Sequence, residues 1–410
     1  TSSVSLQALS FDDLEDKVKS SIEDIKKFRD PSDTSVKETE ETKKSNKKKA
    51  VKKEPLYHAV WKKMYGGDEG DIAHGIVALE NGDSVMVGTC KSFGAKRTDI
   101  CVSRMNDKGE MAWRLMLGGE KEEDGKAIIR TADGNLMVLG STKSYVKNYD
   151  RDLFVAKITP KGDVIWDSSF GGDRVEFAGG IAETDDGGVI VVGDSTSYGK
   201  GYKDIYIAKL NKNGKMISSF VVGGKKEDSG HALTRTADGN MVLVGYRETG
   251  RAGNKDFFVM KIDQNGKKIW SQTFGGKRSD GLNAVTATED GGIIATGSTE
   301  SYNSENTDLS VMKLNADGKM LWHKIYGFKY HEYGNAVATT ADGGVMVAGG
   351  TNTLGKGDHS VYLIALDKAG KVVWSHVYGN RGKDTVNAIT RLSDGSMITI
   401  GSSDSYSRST

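Results

Sequence analysis

A repeat of about 52 residues governs what this chain can fold into. The tryptophans are separated by 52 or 53 residues, with one doubled interval, and lie at Trp61, Trp113, Trp166, Trp270, Trp322 and Trp374. A turn dipeptide of Asn or Asp followed by glycine recurs at the same interval and gives seven copies: Asn81-Gly82, Asp133-Gly134, Asp186-Gly187, Asp238-Gly239, Asp290-Gly291, Asp342-Gly343 and Asp394-Gly395. The copy without a tryptophan has Ser218 at that position. A period of this length predicts one supersecondary unit per repeat.

Each repeat reads as four short strands joined by tight turns. In the copy between Gly230 and Gly275, alternating and apolar segments predict strands at 231–236, 240–246, 256–262 and 267–274. No helical pattern lies between them, which excludes a parallel α/β sheet, and 52 residues exceed one coil of a β-helix. The sequence therefore predicts an all-β protein, a seven-bladed β-propeller with four-stranded blades.

The two ends of the repeat region do not make a complete seventh blade. Residues 57–65, with Trp61, match an outer strand, while the chain stops after Gly401 where a third strand is due. We expect the N-terminal strand to join the C-terminal ones. The missing position could be filled weakly by residues 47–53, or the chain is truncated after Thr410, or the last blade has three strands, which we favour.

Residues 1–55 lack the repeat. An apolar stripe predicts an amphipathic helix within 1–30, carried by Phe11, Leu14, Val18, Ile22, Ile25 and Phe28. Such a helix would dock on a protein surface or, less favoured at this length, pair in a coiled coil. Residues 31–55 are rich in Lys, Glu and Ser and predict a disordered linker, whose lysines could also touch an acidic partner, an anionic membrane surface or a cell-wall polymer. The propeller then spans 56–410.

Composition narrows the class of protein. The formal net charge is +1, which argues against a nucleic-acid-binding chain, and no apolar run is long enough for a transmembrane segment. The sequence begins with Thr1, as expected of a processed chain whose signal peptide has been removed. The two cysteines, Cys90 and Cys101, flank one predicted hairpin loop, so they either form a disulfide, which would indicate an oxidising compartment, or remain as two thiols.

A carboxylate recurs shortly after the Gly-Gly pair of each repeat. This acidic ring comprises Asp71, Glu123, Glu176, Asp228, Asp280, Glu332 and Asp384. It could bind a cation, but its presence in every repeat favours a structural role in which each carboxylate accepts N–H groups of its own loop. A second series opens the third strands, at Asp99, Asp152, Asp204, Asp256 and Asp308, with the same interpretation.

Signatures of catalysis are weak. His74 and His231 occupy equivalent repeat positions, but no zinc spacing, calcium loop or serine-hydrolase elbow occurs, so we expect no metal, cofactor or catalytic residue. The loops between second and third strands vary most and combine aromatic with basic side chains. They supply the predicted binding residues Phe93, Arg97, Tyr145, Tyr149, Arg151, Tyr198, Tyr202, Lys203 and Arg251, although ordinary surface loops would read similarly.

The repeat resembles bacterial propeller repeats of secreted and cell-surface proteins, of the form W-x3-Y/F-G-G, D-G-G-x-x-V-x-G and D-x-x-V-x-K-L, over residues 57–403. The turn-plus-tryptophan unit, as in Asp263–Trp270, is also similar to the quinoprotein-type repeat, which serves dehydrogenases and a non-enzymatic outer-membrane assembly lipoprotein. Against a quinone cofactor, no adjacent cysteine pair is present. The resemblance implies a periplasmic, outer-membrane-associated or extracellular protein.

Two functions remain. The favoured one is a non-enzymatic scaffold of the cell envelope that binds a protein partner, or a glycan, through the loop face of the propeller or the N-terminal helix. The alternative is an enzyme, such as a lyase, a glycan hydrolase or a cofactor-dependent oxidoreductase, with its site at the channel mouth. An asymmetric pocket on the axis would favour the enzyme.

Overall fold

The computed structural model describes residues 61–146, 150–249, 254–302, 304, 306–355 and 358–404. These all belong to the compact unit Glu54–Thr410, and the preceding unit Thr1–Lys53 lies outside the described residues. The predicted helix and linker, and the candidate residues Tyr149 and Arg251, therefore fall outside them as well.

The described residues form 26 strands and no helix. Blade 1 comprises β1 (Asp71–Ala78), β2 (Ser84–Cys90), β3 (Asp99–Met105) and β4 (Met111–Leu117). Blade 2 comprises β5 (Glu123–Arg130), β6 (Leu136–Thr142), β7 (Asp152–Ile158) and β8 (Val164–Phe170). Blade 3 comprises β9 (Glu176–Glu183), β10 (Val189–Ser195), β11 (Asp204–Leu210) and β12 (Met216–Val222).

Three further four-stranded blades follow in the chain. Blade 4 comprises β13 (Asp228–Arg235), β14 (Met241–Glu248), β15 (Lys255–Ile262) and β16 (Lys268–Phe274). Blade 5 comprises β17 (Asp280–Ala287), β18 (Ile293–Thr299), β19 (Asp308–Leu314) and β20 (Met320–Tyr326). Blade 6 comprises β21 (Glu332–Thr339), β22 (Val345–Thr351), β23 (Ser360–Leu366) and β24 (Val372–Tyr378), and a two-stranded sheet ends the series with β25 (Asp384–Arg391) and β26 (Met397–Ser403).

The prediction of seven four-stranded blades with an N-terminal helix is wrong. The described residues form six four-stranded blades and one two-stranded sheet, in which β25 pairs only with β26. The predicted outer strand at 57–65 is not a strand over its described part, 61–65. The reason is that β26 has no third strand beside it in the described residues, so residues 61–65 have no edge with which to pair.

The innermost strands are arranged in a closed ring. Each of β1, β5, β9, β13, β17 and β21 contacts the next innermost strand, and β25 contacts both β21 and β1. Every blade is an antiparallel meander running from the innermost strand outward. The core lies between adjacent blades, where second and third strands such as β6 and β11 are buried along their whole length.

The tryptophans join each blade to the next one. Trp113, for example, packs on Gly162 in the turn between the third and fourth strands of blade 2 and donates its indole N–H to the Pro160 carbonyl at 3.1 Å. Gly162 has a φ of 94°, which is easily reached only by glycine. Trp61 makes the same contact with blade 1, at Gly109. Residues 61–65 thus take the place of an outer strand beside blade 1 although they form no ladder.

Candidate functional site

Alternate connections reach opposite faces of the propeller, because neighbouring strands are antiparallel. The loop face carries the loops between second and third strands (BC loops) and the loops between successive blades (DA loops). The turn face carries the tight glycine turns. All the described aromatic and basic residues that the sequence singled out lie on the loop face.

The acidic ring fastens each DA loop to the strand that follows it. In blade 3 the Glu176 carboxylate accepts the backbone N–H of Gly172 at 2.9 Å and the Ser195 hydroxyl at 2.7 Å, and its side chain is fully buried. Equivalent N–H bonds end at each of the other ring members: Asp71, Glu123, Asp228, Asp280, Glu332 and Asp384. These carboxylates hold the loops in place, and no group of His, Cys, Asp or Glu in the described chain is arranged to hold a metal ion.

The second acidic series lies against the same loops. Asp152 stands beside Glu176, and a Cβ added at Gly171 would overlap the Asp152 carboxyl. Burial, and then the negative charge of Glu176, raise the pKa of Asp152 to about 6. Each such pair of carboxyl groups explains why the first residue of the Gly-Gly pair has no side chain.

A hydroxyl and a phenol in the BC loop complete this fastening. Ser197 accepts the backbone N–H of Arg174 at 2.9 Å, and the Tyr198 hydroxyl donates to the Gly171 carbonyl at 2.8 Å. Tyr145 makes the equivalent bond to Gly118 in blade 2. Phe93 occupies the same loop position in blade 1, with a φ of 63° and the Arg114 guanidinium 3.4 Å from its ring centre. These aromatic side chains are part of the repeat, which sequence reasoning had read as variable.

Tyr202 is the exception among the predicted aromatic residues. Its side chain is 84% exposed, and it follows Gly201 at the end of the BC loop of blade 3. Among the aromatic residues predicted to bind a partner, it alone in the described part of the chain offers most of its surface to solvent.

The predicted basic residues are engaged in ion pairs. Arg97 pairs with Glu122 at 3.3 Å, Arg151 pairs with Asp124, and Lys203 pairs with Asp194 at 3.1 Å. The sequence could not show these pairs, because each joins a BC loop to a different strand or loop. Their charges are largely neutralised at the loop face.

The DA loops divide the loop face electrostatically. Those before blades 1, 2 and 3 carry acids, while those before blade 4 onwards carry a basic arc of exposed residues: Lys225, Lys277, Arg278, Lys329, Arg381 and Lys383. In the described chain no ion pair engages any side chain of this arc, whereas Glu120 and Glu122 on the acidic side bind Lys96, Arg97 and Lys143. Sequence reasoning missed the arc because it searched the more variable BC loops.

The Cys90 and Cys101 sulfurs are joined in a disulfide between β2 and β3. Cys90 pairs across the sheet with Asp71, where Thr142 and Ser195 stand opposite their carboxylates in blades 2 and 3. Because a half-cystine has no hydroxyl to donate, Asp71 instead accepts the backbone N–H groups of Lys91 and Ser92, at 3.0 and 3.2 Å.

Two cavities differ in what they offer. The larger, about 690 Å³ on the turn face, has Trp166 in its wall, and its Lys157 and Arg235 are paired with Asp133 and Asp185. The smaller, about 210 Å³, lies toward the axis between blades 4 and 5 and is lined by His231, Tyr246, Lys255, Gly281 and Asn283, among others. It breaks the symmetry of the ring because Gly281 stands where the other blades, blade 4 included, carry a side chain.

Comparison with known proteins supports the fold. A family model described as a domain of unknown function (DUF5122) beta-propeller matches residues 184–220 and 288–320, which lie in blades 3 and 5. No curated protein matches the chain. The repeat is therefore a β-propeller repeat, with no activity attached to it by these matches.

Solved structures with a similar fold are varied. A serine-to-alanine mutant of puromycin hydrolase complexed with PGG has a TM-score of 0.50 and 14% identity, covering 82% of this chain and 50% of its own. The WD40 domain of Pan2 from Neurospora crassa has a TM-score of 0.49 and 11% identity, with coverage of 82% and 94%. An alpha-L-arabinanase from Penicillium chrysogenum complexed with arabinobiose has 0.48 and 13%, with coverage of 68% and 88%. These likenesses concern the fold alone.

Proposed function

We propose that this protein is a non-enzymatic binding protein that holds an acidic protein partner on the basic arc of its loop face. The observation that carries the proposal is that the arc's ammonium and guanidinium groups are exposed and have no ion pair in the described structure, while the opposite side of the same face is neutralised. Unpaired charges of one sign on one surface attract a partner of the opposite sign and set its orientation.

The carboxylates also support binding over catalysis. The acidic ring accepts N–H and hydroxyl bonds within its own blades, so these groups position loops. The next residues outward, Lys225, Lys277 and Arg278, can reach a partner without any rearrangement. We place the protein in the cell envelope or outside the cell, a proposal that rests on the resemblance of its repeat and agrees with the Cys90–Cys101 disulfide.

A charge reversal on the arc tests the proposal. The variant combines Lys225→Glu, Lys277→Glu and Arg278→Glu, and the probe is soluble poly-L-glutamate measured by calorimetry. We expect the full chain to bind it in a salt-dependent manner and the variant to bind at least about tenfold more weakly, which corresponds to about 1.4 kcal/mol.

The matched control reverses three exposed lysines of the turn face, Lys212→Glu, Lys215→Glu and Lys319→Glu, which have no ion pair among the described residues. This control should bind as the wild type does. Equal loss in both variants would show attraction by net charge alone and would overturn the proposal. So would tight binding of heparin by a protein that ignores poly-L-glutamate, because the partner would then be an acidic glycan.

A further inference from the structure

A ring of seven equivalent residues surrounds the axis of the propeller. Each innermost strand has a β-bulge, and the residues at the bulges are His74, Lys126, Gly179, His231, Asn283, Asn335 and Asn387. We call this ring the waist. Bulges re-aim a side chain out of the pleat, and here they aim it along the ring of innermost strands.

Four members of the waist form a continuous arc of hydrogen bonds. His231 Nδ1 donates to the Leu282 carbonyl at 2.7 Å, and Asn283 donates to the Gly334 carbonyl at 3.0 Å. Asn335 and Asn387 continue the series, to the carbonyls of Val386 and Ala73, each at 2.9 Å. Each bond ends on the residue that precedes the next waist member.

The arc stops at blades 1, 2 and 3. His74 and Lys126 make no hydrogen bond in the described structure, and Gly179 has no side chain with which to make one. Burial, followed by the charge of Lys126, lowers the pKa of His74 to about 4. The same ammonium also acts on His231, so it lies between the two imidazoles, over the space that Gly179 leaves open.

The one carboxylate near Lys126 is already occupied. Asp194 accepts the Ser229 hydroxyl at 2.7 Å and the backbone N–H of Gly230 at 2.8 Å, and it pairs with Lys203 at 3.1 Å. Burial lowers the pKa of Lys126 and the nearby Asp194 charge only partly opposes this. An ammonium enclosed by protein, with its nearest carboxylate bonded elsewhere, is costly to keep charged.

We propose that the waist binds a small anion at the Lys126 ammonium, in the space between His74 and His231. A phosphate, sulfate or carboxylate group supplies the negative charge that the described residues do not. The cavity of about 210 Å³, which shares His231 and Asn283 with the waist, connects the site toward the loop face. Walls of low dielectric around one uncompensated charge strengthen its attraction for an anion. This proposal does not depend on the basic arc.

Inorganic phosphate, added to the full chain at constant ionic strength, tests the site. Wild type should show a saturable rise in Tm, as binding to the folded state alone requires, and a saturable change in the His74 ring NMR signals. In Lys126→Asn the concentration of phosphate at half-saturation should increase at least tenfold. That variant is expected to fold, because an asparagine occupies the equivalent position in Asn283, Asn335 and Asn387.

The control is Lys225→Asn, which removes a lysine from the basic arc and leaves the waist intact. It should retain the wild-type response. A His74 signal that ignores phosphate, or an unchanged half-saturation in Lys126→Asn, would overturn the proposal. Loss of the response in Lys225→Asn would overturn it too, because phosphate would then bind at the surface.

Discussion

At the scale of single residues, paired carboxyl groups are the most consequential detail. Asp152 and Glu176 meet beside Gly171, and burial together with this neighbour raises the Asp152 pKa to about 6, from an ordinary value of 3.8. Because the folded protein holds this proton more tightly than the unfolded chain, the group favours folding at low pH. That advantage is lost as pH rises from about 4 through 6.

Asp152→Asn should remove this dependence, since the amide keeps a neutral donor toward Glu176. The wild-type free energy of unfolding minus that of the variant should fall as pH increases from 4.5 to 7.5, measured by urea unfolding at each pH. In the control, Asp186→Asn, the Thr184 hydroxyl bond and other contacts place the Asp186 pKa at about 2, so the difference should stay constant over this range. A constant difference for Asp152→Asn would contradict the account.

At the scale of strands, β12 shows how a repeat tolerates a missing landmark. Ser218 stands where other blades have tryptophan, but the ring of Phe220 packs against Gly266 in the turn of blade 4, as Trp166 packs against Gly214. The contact between blades is thus preserved by an aromatic residue two positions later. The phenyl ring lacks the N–H that Trp166 donates to the Lys212 carbonyl.

Phe220→Ala should therefore destabilise the protein, by about 1–2 kcal/mol, since the ring is 39% exposed and only its buried part is lost. Ile217→Ala, in the same strand but 56% exposed and away from this turn, should change stability by about 0.5 kcal/mol or less. Urea unfolding compares the two variants. Equal costs would mean that Phe220 does not join the blades.

The sequence predicted the strands well and their contacts poorly. In blade 4 the predicted second, third and fourth strands differ from β14, β15 and β16 by one to two residues, because turns and alternation mark them clearly. The first strand begins at Asp228, three residues before its prediction, since the bulge at His231 interrupts alternation. The ion pairs of Arg97 and Arg151 join loops distant in the repeat pattern, which single-sequence reasoning could not resolve.

At the scale of the whole molecule, the ring closes without a complete last sheet. The Asn387 amide donates to the Ala73 carbonyl and so connects β25 to β1, which are separated by most of the chain. Trp61 and Tyr65 contribute a second connection through the Asp107 and Gly109 carbonyls. Closure by short contacts explains how two strands suffice between blades 6 and 1. In the described residues no helix is long and apolar enough to span a membrane.

The whole-molecule property of most functional interest is the uneven charge of the loop face. Acidic DA loops on one side are paired with BC-loop cations, and the basic arc on the other side is not. The central claim is that this arc, extended by the exposed Tyr202, receives an acidic protein. A partner held this way would leave the turn face accessible.

Hydrogen–deuterium exchange with and without poly-L-glutamate tests this claim most directly, because it locates the bound surface. The account predicts slower exchange in segments 196–203, 223–227 and 275–279 of the loop face, and unchanged exchange in the turns at 211–215 and 315–319. Protection of those turns, or of the acidic loops at 66–70 and 118–122 instead of the arc, would contradict it.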